Sequence, residues 1–176
     1  MQSSERPAYR LGPMTERDAA AICEWRYPAP YDIYNWPSWE QAVRESRDMA
    51  DADIRDRQFR TVRRGDELFG FVQWFPLVAE DGTRIVRLGL GIRPDAVGSG
   101  QGEGFVTFLV RETAARHPGS LIDLEVAKPN VRARRAYERA GFRAVDEYER
   151  PFAGGGSEVV VNMVYLPTGR DKKNAE

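Results

Sequence analysis

The chain has 176 residues, of which 41% are hydrophobic and 30% charged, and its formal net charge is −1. That length and composition suit one globular domain with a sizeable core and exclude a disordered or fibrous chain, while a near-neutral balance without a Lys/Arg block argues against a nucleic-acid partner. Cys23 is the single cysteine, which excludes an internal disulfide framework and a cysteine-based zinc site, and with no apolar run of membrane-spanning length the expectation is a cytoplasmic protein without a membrane partner.

Along the chain, the first residues are polar and expected to fray. Residues 9–11 can form a short strand, and Thr15-Glu16-Arg17-Asp18 reads as a capped helix start with an acidic first turn, leading through Ala20, Ala21, Ile22 and Trp25. Cys23 falls in this apolar pattern and reads as a small core residue. Residues 27–37 hold three prolines, which forbid a regular helix, and four aromatics (Tyr27, Tyr31, Tyr34 and Trp36) that resist solvation. Ser38 with Gln41 predicts a capping box for a second helix ending near Met49. Strands follow at 58–64 and 68–79 around the Gly65-Asp66-Glu67 turn, and Glu80-Asp81-Gly82-Thr83 turns the chain into a strand over 84–92. A helix over 101–116 offers Phe105, Phe108, Leu109 and Val110 to the core and stops at His117-Pro118-Gly119. A strand at 121–127, a helix at 130–140 and strands at 142–150 and 157–166 complete the reading, with Gly154-Gly155-Gly156 as the last turn. The expected organisation is a single domain over 1–168 and a flexible tail over 169–176. A β-meander followed by βαβ-like units predicts a mixed α/β sheet.

The stretch from Leu88 to Phe105 carries the most information. It reads as a buried strand, a glycine-rich turn with Gly98, Gly100, Gly102 and Gly104 at alternate positions, and a helix start. Glycines let backbone approach a bulky ligand, and the following helix aims its free N–H groups and positive dipole end at the same place, which makes an anion site suited to phosphate. A Walker loop is excluded because no Lys lies between Val97 and Phe105, and the strict dinucleotide pattern fails because its sixth position is Glu103 or Phe105.

A second segment follows about thirty residues on. Leu124, Val126, Asn130, Ala133, Tyr137, Gly141 and Phe142 fit Leu-x-Val-x-x-x-Asn-x-x-Ala-x-x-x-Tyr-x-x-x-Gly-Phe without a gap, and Ile92, Pro94, Val97, Gly98, Gly100 and Gly102 fall on Val-x-Pro-x-x-Arg/Gln-Gly-x-Gly-x-Gly. The two segments in this order resemble the GNAT superfamily of N-acetyltransferases. The departure is Val97, where the family prefers Arg or Gln: a side-chain donor to pyrophosphate is lost and the backbone donors remain. The resemblance implies the GNAT (acyl-CoA N-acyltransferase) fold, a mixed, mostly antiparallel twisted sheet flanked by helices. It also implies an enzyme that takes acetyl-CoA as cofactor and acetylates a primary amine of a small molecule, with a homodimer through the C-terminal strands as an option some relatives take. Two rivals stay open: acetylation of protein or peptide N-termini, and a non-catalytic acyl-CoA-binding module on the same fold.

By the same resemblance, the backbone of Leu90, Gly91 and Ile92 would hold pantetheine, Val97, Gly98, Ser99, Gly100, Gln101 and Gly102 would wrap the pyrophosphate, and Asn130 would meet the cofactor while capping its helix. Tyr137 is the expected general acid toward the departing thiolate. Glu125 shares a strand face with Asp123 and Ala127, and a carboxylate on an otherwise apolar run must be solvated, paired or used. Relatives that acetylate ribosomal-protein N-termini carry a Glu in this Leu-Glu-Val context as a base acting through water, so Glu125 or water is the expected proton acceptor; the strand at 84–92 offers no carboxylate. Arg132, Arg134 and Arg135 crowd one helix, mostly as a solvated face, with one of them available to the 3′-phosphate of CoA. Trp25, Tyr27, Tyr31, Tyr34 and Trp36 are the expected acceptor-binding residues, either cradling a cationic amine or forming a satellite core. No metal ligand set is expected.

Overall fold

The computed structural model describes residues 8–151 and 156–167. The chain up to Gln73 together with Leu90–Val97 forms one compact unit; Trp74–Gly89 together with the chain from Gly98 on forms another. The strands are β1 (Tyr9–Pro13), β2 (Phe59–Arg64), β3 (Glu67–Val78), β4 (Arg84–Ile92), β5 (Leu121–Ala127), β6 (Phe142–Pro151) and β7 (Ser157–Tyr165). They form the expected mixed, mostly antiparallel sheet, with seven strands in the order β1-β2-β3-β4-β5-β7-β6 and β4 parallel to β5. The helices are α1 (Glu16–Cys23), α2 (Trp39–Arg44), α3 (Ala52–Gln58), α4 (Gly102–Arg116) and α5 (Val131–Arg139). No helix among the described residues is long and apolar enough to cross a membrane.

In the first unit, α1 begins as its sequence predicts. The Asp18 N–H donates to Thr15 Oγ1 and the Thr15 N–H donates to Asp18 Oδ2, each at 3.1 Å, so two orphan amides are satisfied reciprocally. The other Asp18 oxygen accepts from Arg63 at 2.6 Å, tying α1 to β2. The second helix departs from expectation. The Gln41 N–H donates to Ser38 Oγ, but the Gln41 side chain turns to Glu45 instead of back to the cap, so only half of the box forms. The helix stops at Arg44 and does not reach Met49, because Ser46 and Asp48 take φ of 48° and 50°, outside the helical region. The chain then starts α3, which the sequence reading left out: Asp51 Oδ1 accepts from the Ile54 N–H at 2.9 Å and so caps it. Ile22, Cys23, Met49 and Phe59 are fully buried in the core of this unit, and Trp25, Trp36 and Trp39 pack against it. Burial pushes the Cys23 thiol above its ordinary value, as befits an inert core residue.

In the second unit, Gly82 takes a φ of 84° in the β3–β4 turn and the Thr83 N–H donates to Asp81 Oδ1. Helix α4 buries Phe105, Phe108, Leu109 and Val110 as expected and packs on β5 and α5. Cross-strand partners share a sheet face: Leu124↔Met163 and Val126↔Val161 form an apolar one, and Asp123↔Val164 and Glu125↔Asn162 lie on the other. The β6–β7 register shifts between Ala144 and Asp146, a bulge at Val145. The expected turn at Gly154-Gly155 and tail at 169–176 lie outside the described residues; Gly156 takes a φ of 89°.

Candidate active site

In the first unit the end of β4 is fixed by aromatics. A Cβ at Gly91 would lie 2.5 Å from Cε1 of Phe71, so only glycine lets that ring pack under the strand. The Phe71 ring in turn meets Trp25 and Trp36, each at 6.2 Å between centroids. These two tryptophans therefore belong to the core of the segment. The Tyr27 hydroxyl donates to the Ile92 carbonyl at 2.8 Å. Asn35 clasps the same tyrosine, its Oδ1 accepting from the Tyr27 N–H at 2.7 Å and its Nδ2 donating to the Tyr27 carbonyl at 3.3 Å. This closes the proline-rich segment into a loop, and Asn35 was not foreseen although Asn is a residue that bonds backbone in loops. Tyr31 and Tyr34 border a single 3₁₀ turn, Asp32–Tyr34, with Tyr31 half-buried and Tyr34 exposed. Val97 closes a similar turn at Pro94–Ala96, its N–H donating to the Pro94 carbonyl at 3.3 Å.

In the second unit Gly98 and Gly100 take φ of 80° and 76°, a backbone that side chains resist, and a Cβ at either would meet nothing within 4 Å. Gln101 Nε2 donates to Ser99 Oγ at 2.7 Å. Helix α4 then starts at Gly102 without any side-chain cap on its first amides. A Cβ at Gly102 would sit 3.2 Å from Cβ of Ala136, which holds α4 close to α5. An open glycine cradle leading to uncapped helical N–H groups is the donor set that a pyrophosphate requires. The parallel β4–β5 ladder includes the pairs from Ile85↔Leu121 to Leu88↔Leu124, and β5 runs along β7 to Ala127. Asn130 caps α5 as expected, its Oδ1 accepting from the Ala133 N–H at 3.2 Å. Tyr137 is half-buried on α5 with its ring 6.1 Å from that of Phe142.

Glu125 stands in a polar network whose members the sequence reading did not name. Its Oε1 accepts from the Arg87 guanidinium and the Tyr148 hydroxyl, and its Oε2 accepts from Arg150 at 2.8 Å. Arg87 also grips the buried Asp123 with two hydrogen bonds, Nε to Oδ1 at 3.0 Å and Nη2 to Oδ2 at 2.7 Å. Arg150 reaches Glu158 at 2.5 Å, and Asn162 Nδ2 donates to Asp123 at 3.0 Å. The hydrogen bonds to Asp123 hold Arg87 above its ordinary value against the opposing effect of burial. Burial, then the bond to Glu125 and its charge, push the Tyr148 phenol up to about 12. Burial works to lower Arg150, but Glu158 and the charge of Glu125 outweigh it and the value is raised. A signal for these partners exists: Arg87 lies on β4, which runs parallel beside β5, and a carboxylate pair on one strand face calls for cations on the next.

In the second unit the glycine cradle, the start of α4 without a side-chain cap and the Asn-capped α5 form the kind of anion site found in proteins that bind a phosphate-bearing cofactor. The acetyltransferase (GNAT) domain model matches residues 9–143, and the chain belongs to this family of acyl-transferring enzymes. Members draw the acyl group from acetyl-CoA. Solved structures share the fold. A spermidine N-acetyltransferase chimera from Vibrio cholerae and hSSAT aligns with a TM-score of 0.70 at 18% identity, covering 96% of this chain and 99% of its own. A GNAT-family acetyltransferase from Bacillus anthracis aligns with a TM-score of 0.71 at 12% identity, covering 92% and 96%. An aminoglycoside acetyltransferase in complex with paromomycin and acetyl-CoA aligns with a TM-score of 0.69 at 21% identity, covering 96% and 98%. No curated protein sequence matches the chain at a significant level.

Proposed function

We propose that this chain transfers the acetyl group of acetyl-CoA directly to a primary amine of a small molecule, with no covalent enzyme intermediate. The observation that carries the reading is the open glycine cradle at Gly98 and Gly100, which leads into a helix start without a side-chain cap. Amides at such a helix start need other partners, and a pyrophosphate can supply them. When bound, acetyl-CoA supplies an activated acyl group as a thioester. The backbone of Leu90, Gly91 and Ile92 would hold its pantetheine, Val97, Gly98, Ser99, Gly100, Gln101 and Gly102 would wrap its pyrophosphate, and Asn130 would meet the cofactor. The Tyr137 hydroxyl gives its proton to the departing sulfur. Glu125, held in place by the guanidinium and phenol donors around it, takes the ammonium proton through water. Tyr31 and Tyr34 offer aromatic faces to the acceptor while Tyr27 braces Ile92. The Tyr27–Asn35 clasp, which closes the segment into a loop, supports a small acceptor over a peptide.

The test is acetyl-CoA binding by calorimetry, then thiol release with spermidine, paromomycin and an alanine-initiated peptide. Binding with release on an amine is expected. Release on the peptide alone would move the reading to protein N-termini, binding without release on any of the three would favour the non-catalytic module, and absence of binding would overturn the cofactor site.

A further inference from the structure

We infer that Asn35 and the Tyr27 phenol are positioning residues that lock the acceptor segment to the end of β4 as one piece. They thereby fix where an acceptor amine sits against the strand end that holds the cofactor. The inference rests on the roles proposed above for the aromatic segment and for the backbone of Leu90, Gly91 and Ile92. The segment has both its feet on one spot. Trp25 and Trp36 flank it, and their rings each stand 6.2 Å from that of Phe71, which packs where Gly91 has no side chain. Between those feet the chain runs through successive backbone turns: the Tyr31 N–H donates to the Pro28 carbonyl at 2.9 Å, Tyr34 to Tyr31 at 3.1 Å and Asn35 to Asp32 at 3.0 Å. These turns return Asn35 to Tyr27, where its side chain accepts one hydrogen bond and donates another.

What the clasp holds in place is the phenol. The Arg93 N–H donates to the Phe69 carbonyl of β3 at 2.9 Å. Backbone groups of successive strand residues point to opposite sides, so the N–H and carbonyl of Ile92 face away from β3. The Tyr27 hydroxyl takes that carbonyl at 2.8 Å, joining residues 65 apart in sequence. A phenylalanine would supply the same ring; the hydroxyl adds an anchor. Asn35 in turn gives its side-chain hydrogen bonds to the Tyr27 backbone, and so acts on β4 through that residue. The two residues therefore differ in what their loss does. Without the phenol the segment keeps its clasped shape but shifts against the strand end, and a displacement of about 1 Å in a reacting pair costs about 100-fold in rate. Without the clasp the phenol also loses its hold, and the segment has to be ordered each time an acceptor binds, which weakens acceptor affinity.

The first measurement is amide hydrogen exchange, read by NMR on the full chain without any ligand. In Asn35→Ala the N–H groups of Tyr27 and Arg93 should both exchange at least about fivefold faster, and in Tyr27→Phe that of Arg93 should do so. Asn35→Asp keeps the oxygen of the 2.7 Å bond and should restore most of the protection, with thermal melts showing that each variant is folded. Unchanged exchange at Arg93 in both Tyr27→Phe and Asn35→Ala overturns the inference. Kinetics follow with the fastest acceptor from the panel above. Tyr27→Phe should lower kcat by at least about tenfold with the acceptor KM within about twofold, whereas Asn35→Ala should lower kcat and raise that KM by at least about threefold. The double variant should have a kcat no lower than Tyr27→Phe, since Asn35 acts through the phenol. Losses in kcat that multiply, or wild-type kcat and KM in variants whose exchange has changed, overturn the positioning role alone. A wild-type chain that binds acetyl-CoA but releases no thiol on any acceptor overturns the acetyl-transfer reading and the positioning role with it.

Discussion

Replacing Gly91 by alanine tests how tightly the end of β4 is packed. A Cβ there would stand 2.5 Å from Cε1 and 3.0 Å from Cζ of Phe71, whereas carbon atoms in contact prefer about 3.5–4.0 Å. The ring has little room to retreat, since Phe71 is 6% exposed and the rings of Trp25, Trp36 and Phe59 stand 6.2, 6.2 and 6.3 Å from its own. Forcing a methyl group into such a site costs about 1–3 kcal/mol. Gly91 is not among the positive-φ glycines, so alanine recovers about 0.4–1 kcal/mol through a less disordered unfolded chain. The expected net loss is about 1–2 kcal/mol, read as a lower urea midpoint at unchanged slope. Phe71→Leu removes the clashing ring atoms. In that background Gly91→Ala should be neutral or stabilising, a coupling of about 1–2 kcal/mol in the double-mutant cycle. Equal costs in the two backgrounds, or no cost in either, would refute the steric argument.

Tyr137→Phe should lower kcat by at least about tenfold while acetyl-CoA affinity by calorimetry stays within about twofold, and a retained kcat removes the phenol from the proton path. Gly100→Val forces a β-branched residue to a φ of 76° in the cradle, and acetyl-CoA affinity should drop by more than about tenfold; unchanged affinity would mean that the phosphate lies elsewhere. Asp51→Ala leaves the Ile54 amide without its cap and should cost about 1 kcal/mol in urea unfolding, with no change meaning that α3 does not depend on it. Burial, with help from Arg116, holds His117 below its ordinary value of 6.5, so the unfolded chain takes up this proton more readily than the folded one. Its stabilising effect is complete above that value and is lost as pH falls through it. His117→Gln should therefore flatten the decline in stability between about pH 7 and 5.5, and parallel declines in both proteins would contradict the assignment.

Much of the architecture was legible because each element carried its own punctuation. The Thr15–Asp18 box, the Gly82 turn and the Asn130 cap are local devices whose partners lie within three residues, and each forms as read. Where the structure departs, the cause is also local: the Ser38 cap suggests one helix as far as Met49, but Ser46 and Asp48 leave the helical region and Asp51 begins another. The two motif segments pointed to the family, and the domain match over residues 9–143 bears that out. The surroundings of Glu125 were not legible, because its donors come from residues 87, 148 and 150 and meet only through the register of four strands. Similarly, the aromatic segment announced its burial but not its division of labour. Trp25 and Trp36 serve the core, Tyr27 braces Ile92, and the clasp from Asn35 depends on an eight-residue closure that no periodicity encodes.

The bulge at Val145 reaches beyond local geometry. Upstream of it, Phe142 and Ala144 pair with Tyr165 and Met163; downstream, Asp146, Tyr148 and Arg150 pair with Asn162, Val160 and Glu158. Even-numbered residues thus change sides along a single strand, and strict alternation from Phe142 would have sent Tyr148 toward the apolar layer. The extra residue resets the parity of β6 and is itself 57% exposed. It also falls on the last strand in the sheet order, ten residues long, whose free edge would otherwise be a template for strands of other molecules. A strand docking there from outside would find the ladder out of step midway and flanked by Arg143, Glu147 and Glu149. One supernumerary valine therefore both turns the β6 donors toward Glu125 and discourages the open-ended polymerisation that a straight, regular edge would invite.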